Sequence, residues 1–591
     1  MTTFSLLHYL YVSWGVVALA TFVSSQSVQE DLSLFDSDDN DNGIDRNNVY
    51  DNAENSDSLR EIFDKSMTSI LESEKHKIPS WNELDRLSDS RPKAQWYHQA
   101  KLGIFLHWGV FSVPSYESEW FWEQWKNTES SYDHIRSFVN HTERPSFDYT
   151  QYAARFQVDT LFNATYWAND IFAPSGAQFI VLTSKHHDGF CLWNSTPHVP
   201  LTYNWNAIDV GPQRDLVGEL ARAVKATISP HTRQPLIFGL YHSLFEWFHP
   251  LYLQDRRKGF NNTKDSLFVK EKILKELVDI VIRYHPQVIW SDGDWEAPPR
   301  YWKSRQFLYW LLTMSPVAKS VVYNDRWGQG ITCHHGSFLT CADRYQPDDF
   351  NITNPKKWED ALTIDTHSWG YNRISKLEDY MTTKDLIHTL IKTVAWNGNM
   401  LLNVGPASDG TIHPIFVDRL RGIGDWLKVN GPAIYKTDPW LVCQNETWSN
   451  VFYTVGNDTR SDTNKKDKPL LYVHFTEWPS QNVLKLRCPI VTPTTRISFL
   501  GLNISHVSET DLTKEGYLPF DVVEDAWQGT KATAQERMRR LSETQAAIPP
   551  TDLFTRPGSF LKIQLPALTP DIIPCQHSWV LVMEGVGNMI N

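Results

Sequence analysis

The chain has 591 residues, of which 41% are hydrophobic and 21% charged, and its net charge is −13. That length is too great for one ordinary core and suits two or more domains, and the composition is that of a soluble globular protein. Ten acids against two bases between residues 26 and 60 carry −8 of the charge; the rest is mildly acidic and has no basic face for a phosphate backbone, which argues against nucleic acid as a partner.

Residues 1–25 read as a secretory signal. The run "LLHYLYVSWGVVALATFVSS" is mostly apolar, and Val23 and Ser25 suit small-residue cleavage before Gln26. Residues 1–5 lack a basic side chain, which leaves an uncleaved anchor open. No later run reaches the roughly 18 apolar residues that span a bilayer. Residues 26–78 follow as an acidic linker, expected to be disordered because so few apolar groups cannot offset the entropy of ordering. Within it Asp38, Asn40, Asn42 and Gly43 imitate a calcium loop, but Val49 stands where the bidentate Glu belongs.

Between residues 79 and 436, short apolar runs alternate with helical periods. "GIFLHWG", "QFIVLTS", "LIFGLYHS", "QVIWSDG" and "SVVYNDR" read as buried strands. Leu216, Leu220, Ala223 and Val224 recur at helical spacing, as do Ile273, Leu277, Ile280 and Val281, and Leu386, Leu390 and Val394. Thr382 and Asp385 form a capping pair ahead of the last of these. Such alternation predicts an α/β fold with a parallel sheet, a (β/α)8-like TIM barrel. From 437 to 591, "LLYVHFTEW", "NVLKLRC", "RISFLG", "FLKIQLPAL" and "WVLVMEG" predict an antiparallel β-sandwich, with a polar insertion near 529–548.

Sequons at Asn140, Asn163, Asn261, Asn351, Asn445, Asn457 and Asn503 agree with a secretory route; an eighth, Asn194, has Pro197 beside it and is expected to stay unmodified. Six cysteines allow pairing in an oxidising compartment without fixing the connectivity. Cys333 and Cys341 either close a short loop or stay free.

In such a barrel, side chains just past the strand C-termini line the active site. The predicted ends supply His107 and Trp108, then Glu119 and Trp120, then His186, His187 and Asp188, then Tyr241 and His242, then Asp292, then Asn324, Asp325, Arg326 and Trp327. One strand-end Asp is often only a helix cap. Their coincidence at one end of successive strands is what points to a site. Aromatic content of 13%, with 25 Trp, suits stacking on the apolar face of a sugar. Two carboxyl groups of opposite protonation state are what glycosidic cleavage needs. Asp292, followed by Gly293, fits the ionised one, held by backbone N–H groups of the turn. A zinc hydrolase built on His186, His187 and Asp188 is disfavoured, since neighbouring strand residues point apart and no H-E-x-x-H run is present.

The runs "KLGIFLHWGVFSVPSYESEWFW", "TSKHHDGFCLWNS", "FGLYHSLFEW", "VIWSDGDWE", "VVYNDRWG", "KKWEDALTIDTHSWGYNR" and "NGNMLLNVGPASDGTI" resemble the α-L-fucosidase family of retaining glycoside hydrolases. The resemblance implies a catalytic barrel followed by a β-sandwich, with no metal or cofactor. It implies Asp292 as nucleophile and His107, Glu119, Trp120, His186, His187, Tyr241 and Arg326 as fucose-binding residues. It implies Asp343 as the general acid/base, with Glu359 as the runner-up. The expected function is exo-hydrolysis of terminal α-L-fucose on glycoproteins or glycolipids through a covalent fucosyl-enzyme, in a secreted or lysosomal protein, with a homo-oligomer left open. A fucose-binding pseudo-enzyme is the alternative, because three family positions depart from the pattern: Ser337 replaces a Gly, Ala342 a Glu and Ala361 a Cys.

Overall fold

The structure, a computed structural model, describes residues 53–73, 78–158, 161–199, 201, 203–261, 266–347, 356–446, 450–457, 469–524 and 559–589. The signal reading, the Asp38 loop, Asn351 and the 529–548 insertion lie outside them. Seven strands form one parallel sheet: β1 (Leu102–Leu106), β2 (Phe179–Lys185), β3 (Ile237–Ser243), β4 (Val288–Asp292), β5 (Val322–Tyr323), β6 (Trp358–Thr363) and β7 (Gly398–Val404), in the order β5-β4-β3-β2-β1-β7-β6. They read as near-continuous apolar runs because both faces are covered.

Alternate side chains go to opposite faces. Phe105, Val181, Tyr241, Trp290, Ala361 and Leu401 fill the inside of the curl. Ile104, Leu182, Leu240, Ile289 and Leu402 pack outward in the larger core. At Gly103 the interior is so tight that a Cβ would stand 2.4 Å from the Phe179 ring.

The ends of the sheet, β5 and β6, are joined by an irregular segment, residues 337–339. Ser337 N donates to Tyr323 O (2.9 Å), Leu339 N to Lys357 O (3.0 Å) and Glu359 N to Leu339 O (2.8 Å). The expected eighth strand is thus a three-residue link, and Asp343 lies shortly beyond its end.

The three predicted helical periods are helices Leu216–Ala226, Leu274–Tyr284 and Thr383–Ala395. Thr382 and Asp385 make the expected reciprocal cap. The linker expectation for 26–78 does not hold across its second half, where Ala53–Glu72 is a helix. Phe63, Met67 and Ile70, spaced i, i+4 and i+7, are buried in the main core. The Phe63 ring stacks on His198 at 4.6 Å, and His198 pairs with Asp279 at 2.5 Å. Acids on the outer face hid this stripe from a composition argument.

Beyond the barrel, two antiparallel sheets follow. The first has the order β12-β15-β10-β9-β8, with β8 (Asp438–Pro439), β9 (Val451–Asn457), β10 (Pro469–Phe475), β12 (Arg496–Phe499) and β15 (Trp579–Glu584). The second has the order β11-β14-β13, with β11 (Val483–Leu486), β13 (Phe520–Glu524) and β14 (Ser559–Gln564). Leu471, Phe475, Leu486, Leu561, Ile563 and Leu581 from both share one core, as a sandwich requires. Ala433 packs with Leu470, Tyr472, Val580 and Val582, and Trp426 Nε1 donates to Ser578 O (2.9 Å), so the sandwich abuts the end of the barrel. Cys333 pairs with Cys341 and Cys443 with Cys488, while Cys191 and Cys575 are free thiols.

Candidate active site

Asp292 is the last residue of β4, two positions beyond Trp290 and therefore on the same inward face. Its carboxylate meets three donors. Tyr241 Oη donates to Oδ2 (2.9 Å), Arg326 Nη1 donates to Oδ1 (3.2 Å), and His187 Nε2 stands 3.4 Å from Oδ2. Burial works to raise its pKa, but the His187 hydrogen bond, the Arg326 charge and the Tyr241 hydroxyl outweigh it and hold the carboxyl well below the usual carboxylate range. The backbone N–H groups expected for this task are not the donors; side chains from three neighbouring strand ends are. Gly293 has φ 93°, and a Cβ there would meet the Phe245 ring at 2.4 Å, so the chain turns away from the strand with no room for a side chain.

The other predicted residues gather around this carboxylate. His107 is buried, and burial pushes its pKa down to about 3, so it is neutral. Asn403 Nδ2 donates to Trp369 O (2.6 Å), which leaves Asn403 Oδ1 to accept from His107 Nδ1 (2.7 Å). That fixes the tautomer and presents Nε2 as an acceptor. His186 is likewise kept neutral by burial, and its Nδ1 has no protein partner among the described residues. His187 Nδ1 is held by Ser243 Oγ (2.6 Å). Glu119 Oε2 accepts from Trp369 N (3.0 Å) and Gly370 N (3.1 Å), tying its loop to the one after β6; burial raises its pKa. Tyr241 lies stacked on Trp290 at 5.7 Å.

Aromatic rings wall the space. Trp120 stands 5.1 Å from Trp247 and 5.4 Å from His187, Trp295 stands 5.6 Å from His187, and Trp369 stands 5.0 Å from His107. Asn403, Trp247, Trp295 and Trp369 join the site without having been expected from the sequence. Asn403, Trp247 and Trp295 lie at or just past the ends of β7, β3 and β4, and Trp369 lies in the loop that follows β6, nearer its strand end than Trp120 is to the end of β1. Asp188 and His242 do not join the group: Asp188 accepts from Tyr149 Oη (2.9 Å) and His242 Nε2 faces Glu276 (3.2 Å). No cluster suited to a metal ion occurs among the described residues.

The two acid/base candidates are placed very differently. Asp343 is exposed, with 43% of its side chain accessible, and takes Arg326 Nη2 at 2.6 Å, so one guanidinium touches both Asp292 and Asp343. Glu359 is 0% exposed. Tyr97 Oη donates to its Oε2 (2.5 Å) and Trp290 Nε1 to its Oε1 (2.9 Å). It lies beneath Trp290, whose ring carries the Arg326 guanidinium at 4.7 Å on its face. Burial raises the Glu359 pKa to about 7.

A raised carboxyl pKa means the folded state holds a proton that the unfolded chain has released, so this group lowers stability as pH rises from about 4.5 towards 7. We expect Glu359→Gln to fold, since an amide oxygen can serve Trp290 and the Tyr97 hydroxyl can turn to accept from the amide. Its melting temperature should fall less between pH 5 and pH 7.5 than that of the parent. Parallel melting curves would contradict the assignment.

A family model described as Alpha-L-fucosidase matches residues 67–432. The chain is 41% identical over 508 residues to an Alpha-L-fucosidase of Branchiostoma floridae, covering 86% of this chain and 96% of the relative. It is 39% identical over 508 residues to the Tissue alpha-L-fucosidase of Homo sapiens, covering 86% and 92%. Among solved structures, Thermotoga maritima alpha-fucosidase in complex with a mechanism based inhibitor is similar in fold, with a TM-score of 0.59 at 24% identity, over 86% of this chain and all of that one. With sequence similarity covering most of both chains and a shared architecture, this chain belongs to the alpha-L-fucosidase family of glycoside hydrolases.

Proposed function

We propose that the protein hydrolyses terminal α-L-fucose from glycoproteins or glycolipids with retention of configuration. The observation that carries this reading is the pair of carboxylates on one guanidinium, Asp292 buried and held ionised, Asp343 open to solvent. Asp292 attacks the anomeric carbon and forms a covalent fucosyl-enzyme while Asp343 protonates the departing oxygen. Consuming the Asp292 charge leaves Asp343 as the remaining anionic partner of Arg326. Water then attacks the anomeric carbon as Asp343 takes its proton, the bond to Asp292 breaks, and fucose leaves with the Asp292 carboxylate restored. Glu359 has no route to a leaving group from beneath Trp290, so its part is to fix that indole. His107, His186, His187, Glu119, Tyr241 and Arg326 hold hydroxyl groups, and Trp120 stacks on the ring. Family membership gives the pseudo-enzyme alternative no support.

The relatives named tissue and plasma fucosidases favour a secreted or lysosomal protein. Asn140, Asn163, Asn261, Asn457 and Asn503 are exposed and suit glycan attachment, with Asn445 half-buried. The decisive test is trapping with a 2-deoxy-2-fluoro-fucoside bearing a good leaving group, followed by peptide mapping. The label is expected on Asp292; a label elsewhere, or none with turnover intact, overturns the double-displacement reading.

A further inference from the structure

Asp325 follows β5 and touches neither Asp292 nor Asp343, yet it is fully buried and its two oxygens accept four hydrogen bonds from one loop. Oδ1 accepts from Thr340 N (3.0 Å) and Thr340 Oγ1 (2.5 Å). Oδ2 accepts from Cys333 N (2.6 Å) and Cys341 N (3.2 Å). Those residues bracket the Cys333–Cys341 disulfide and lead directly to Asp343. Thr340 Oγ1 also receives Arg326 Nε (3.1 Å), so the same carboxylate is linked to the guanidinium that grips Asp343.

The loop needs such a hold. Cys333 (φ 66°), Cys341 (φ 53°) and Arg344 (φ 55°) all adopt the left-handed region, where the Cβ of a non-glycine residue crowds the backbone. Three such residues within twelve positions persist only where the surroundings over-determine them. A disulfide closes the loop but does not set its tilt against the barrel. The Asp325 carboxylate does, because its acceptors face N–H groups at both ends of the clasp.

We infer that Asp325 is a positioning residue for the general acid/base, holding the disulfide-clasped loop so that Asp343 stands over the bond to be broken. This rests on the assignment of Asp343 made above. In Asp325→Asn the amide nitrogen meets the N–H groups of Cys333 and Cys341, donor against donor, or else those of Thr340. The loop loosens while Asp292 and the sugar-holding residues stay in place.

The experiment compares kcat/KM on two aryl α-L-fucosides, 2,4-dinitrophenyl and 4-methoxyphenyl, normalised to active sites counted by the trapping burst. Only the second leaving group needs a proton. For Asp325→Asn we expect a loss of about 100-fold on the methoxyphenyl substrate and under about 5-fold on the dinitrophenyl one. Thr340→Val and the Cys333→Ser/Cys341→Ser pair should shift the ratio the same way by a smaller factor, and they carry the comparison if Asp325→Asn does not fold. Equal losses on both substrates, or none, overturn the inference, provided Asp343→Ala run alongside shows the steep leaving-group dependence. A flat response in Asp343→Ala overturns the acid/base assignment itself, and the inference with it.

Discussion

Asp292→Gly is expected to lower kcat by about 10⁴- to 10⁶-fold on any fucoside while the protein stays folded. The loss is that large because the two other candidate catalytic carboxylates stand elsewhere: Asp343 lies on the far arm of Arg326 and Glu359 beneath Trp290. The fold survives because the side chain stands at a strand end with 12% of it accessible, so water can take the place of the carboxylate beside Tyr241, His187 and Arg326. A carboxyl held below its ordinary range contributes stability above the unfolded pKa and loses it as pH falls through the folded value. The variant should therefore melt below the parent near neutrality and approach it in strong acid. Added azide should yield the β-fucosyl azide, the product of a single inversion. Near-normal turnover in the variant would remove Asp292 from the mechanism.

Asp343→Ala should lose about 10²- to 10⁴-fold on substrates with basic leaving groups and far less on activated ones. Once an activated substrate has formed the fucosyl-enzyme, azide needs no base, so it should restore turnover and give the α-fucosyl azide after two inversions. The opposite anomers from the two variants separate their roles without reliance on rate alone. Rescue in Glu359→Ala but not in Asp343→Ala would reverse the assignment. We do not expect that, because Glu359→Ala leaves Trp290 Nε1 and Tyr97 Oη without their shared acceptor and loosens the floor under Asp292.

Most of the proposed sugar-holding site was legible because it follows from one regularity. Strands announce themselves as β-branched and aromatic runs, and a barrel gathers their C-terminal ends. His107, His187, Tyr241, Asp292 and Arg326 were found this way, and they do converge. The acid/base was harder. Asp343 stands beyond a three-residue link too short to register as a strand, so only family resemblance pointed to it. Glu359 was ambiguous because the sequence shows an acid at that position but neither the strand that carries it nor the layer of the barrel that receives it. Trp369 lies in a loop distant in sequence from everything it touches. The Ala53–Glu72 helix was missed because its acids, and those of the segment before it, mask the helical spacing of Phe63, Met67 and Ile70 in a composition average.

The irregular link at 337–339 divides the labour of the site. The groups proposed to face the deoxy-sugar stand mostly on or beside paired strands, where a substitution disturbs the whole sheet. The segment bearing Asp343 hangs from a short link, one disulfide and one buried carboxylate, with Ala342 and Asp343 at the surface. On the mechanism proposed, changes there would alter which glycan is accepted on the departing side while recognition of the terminal residue is untouched. Divergence among such enzymes would then accumulate on one rim of the mouth and spare the other.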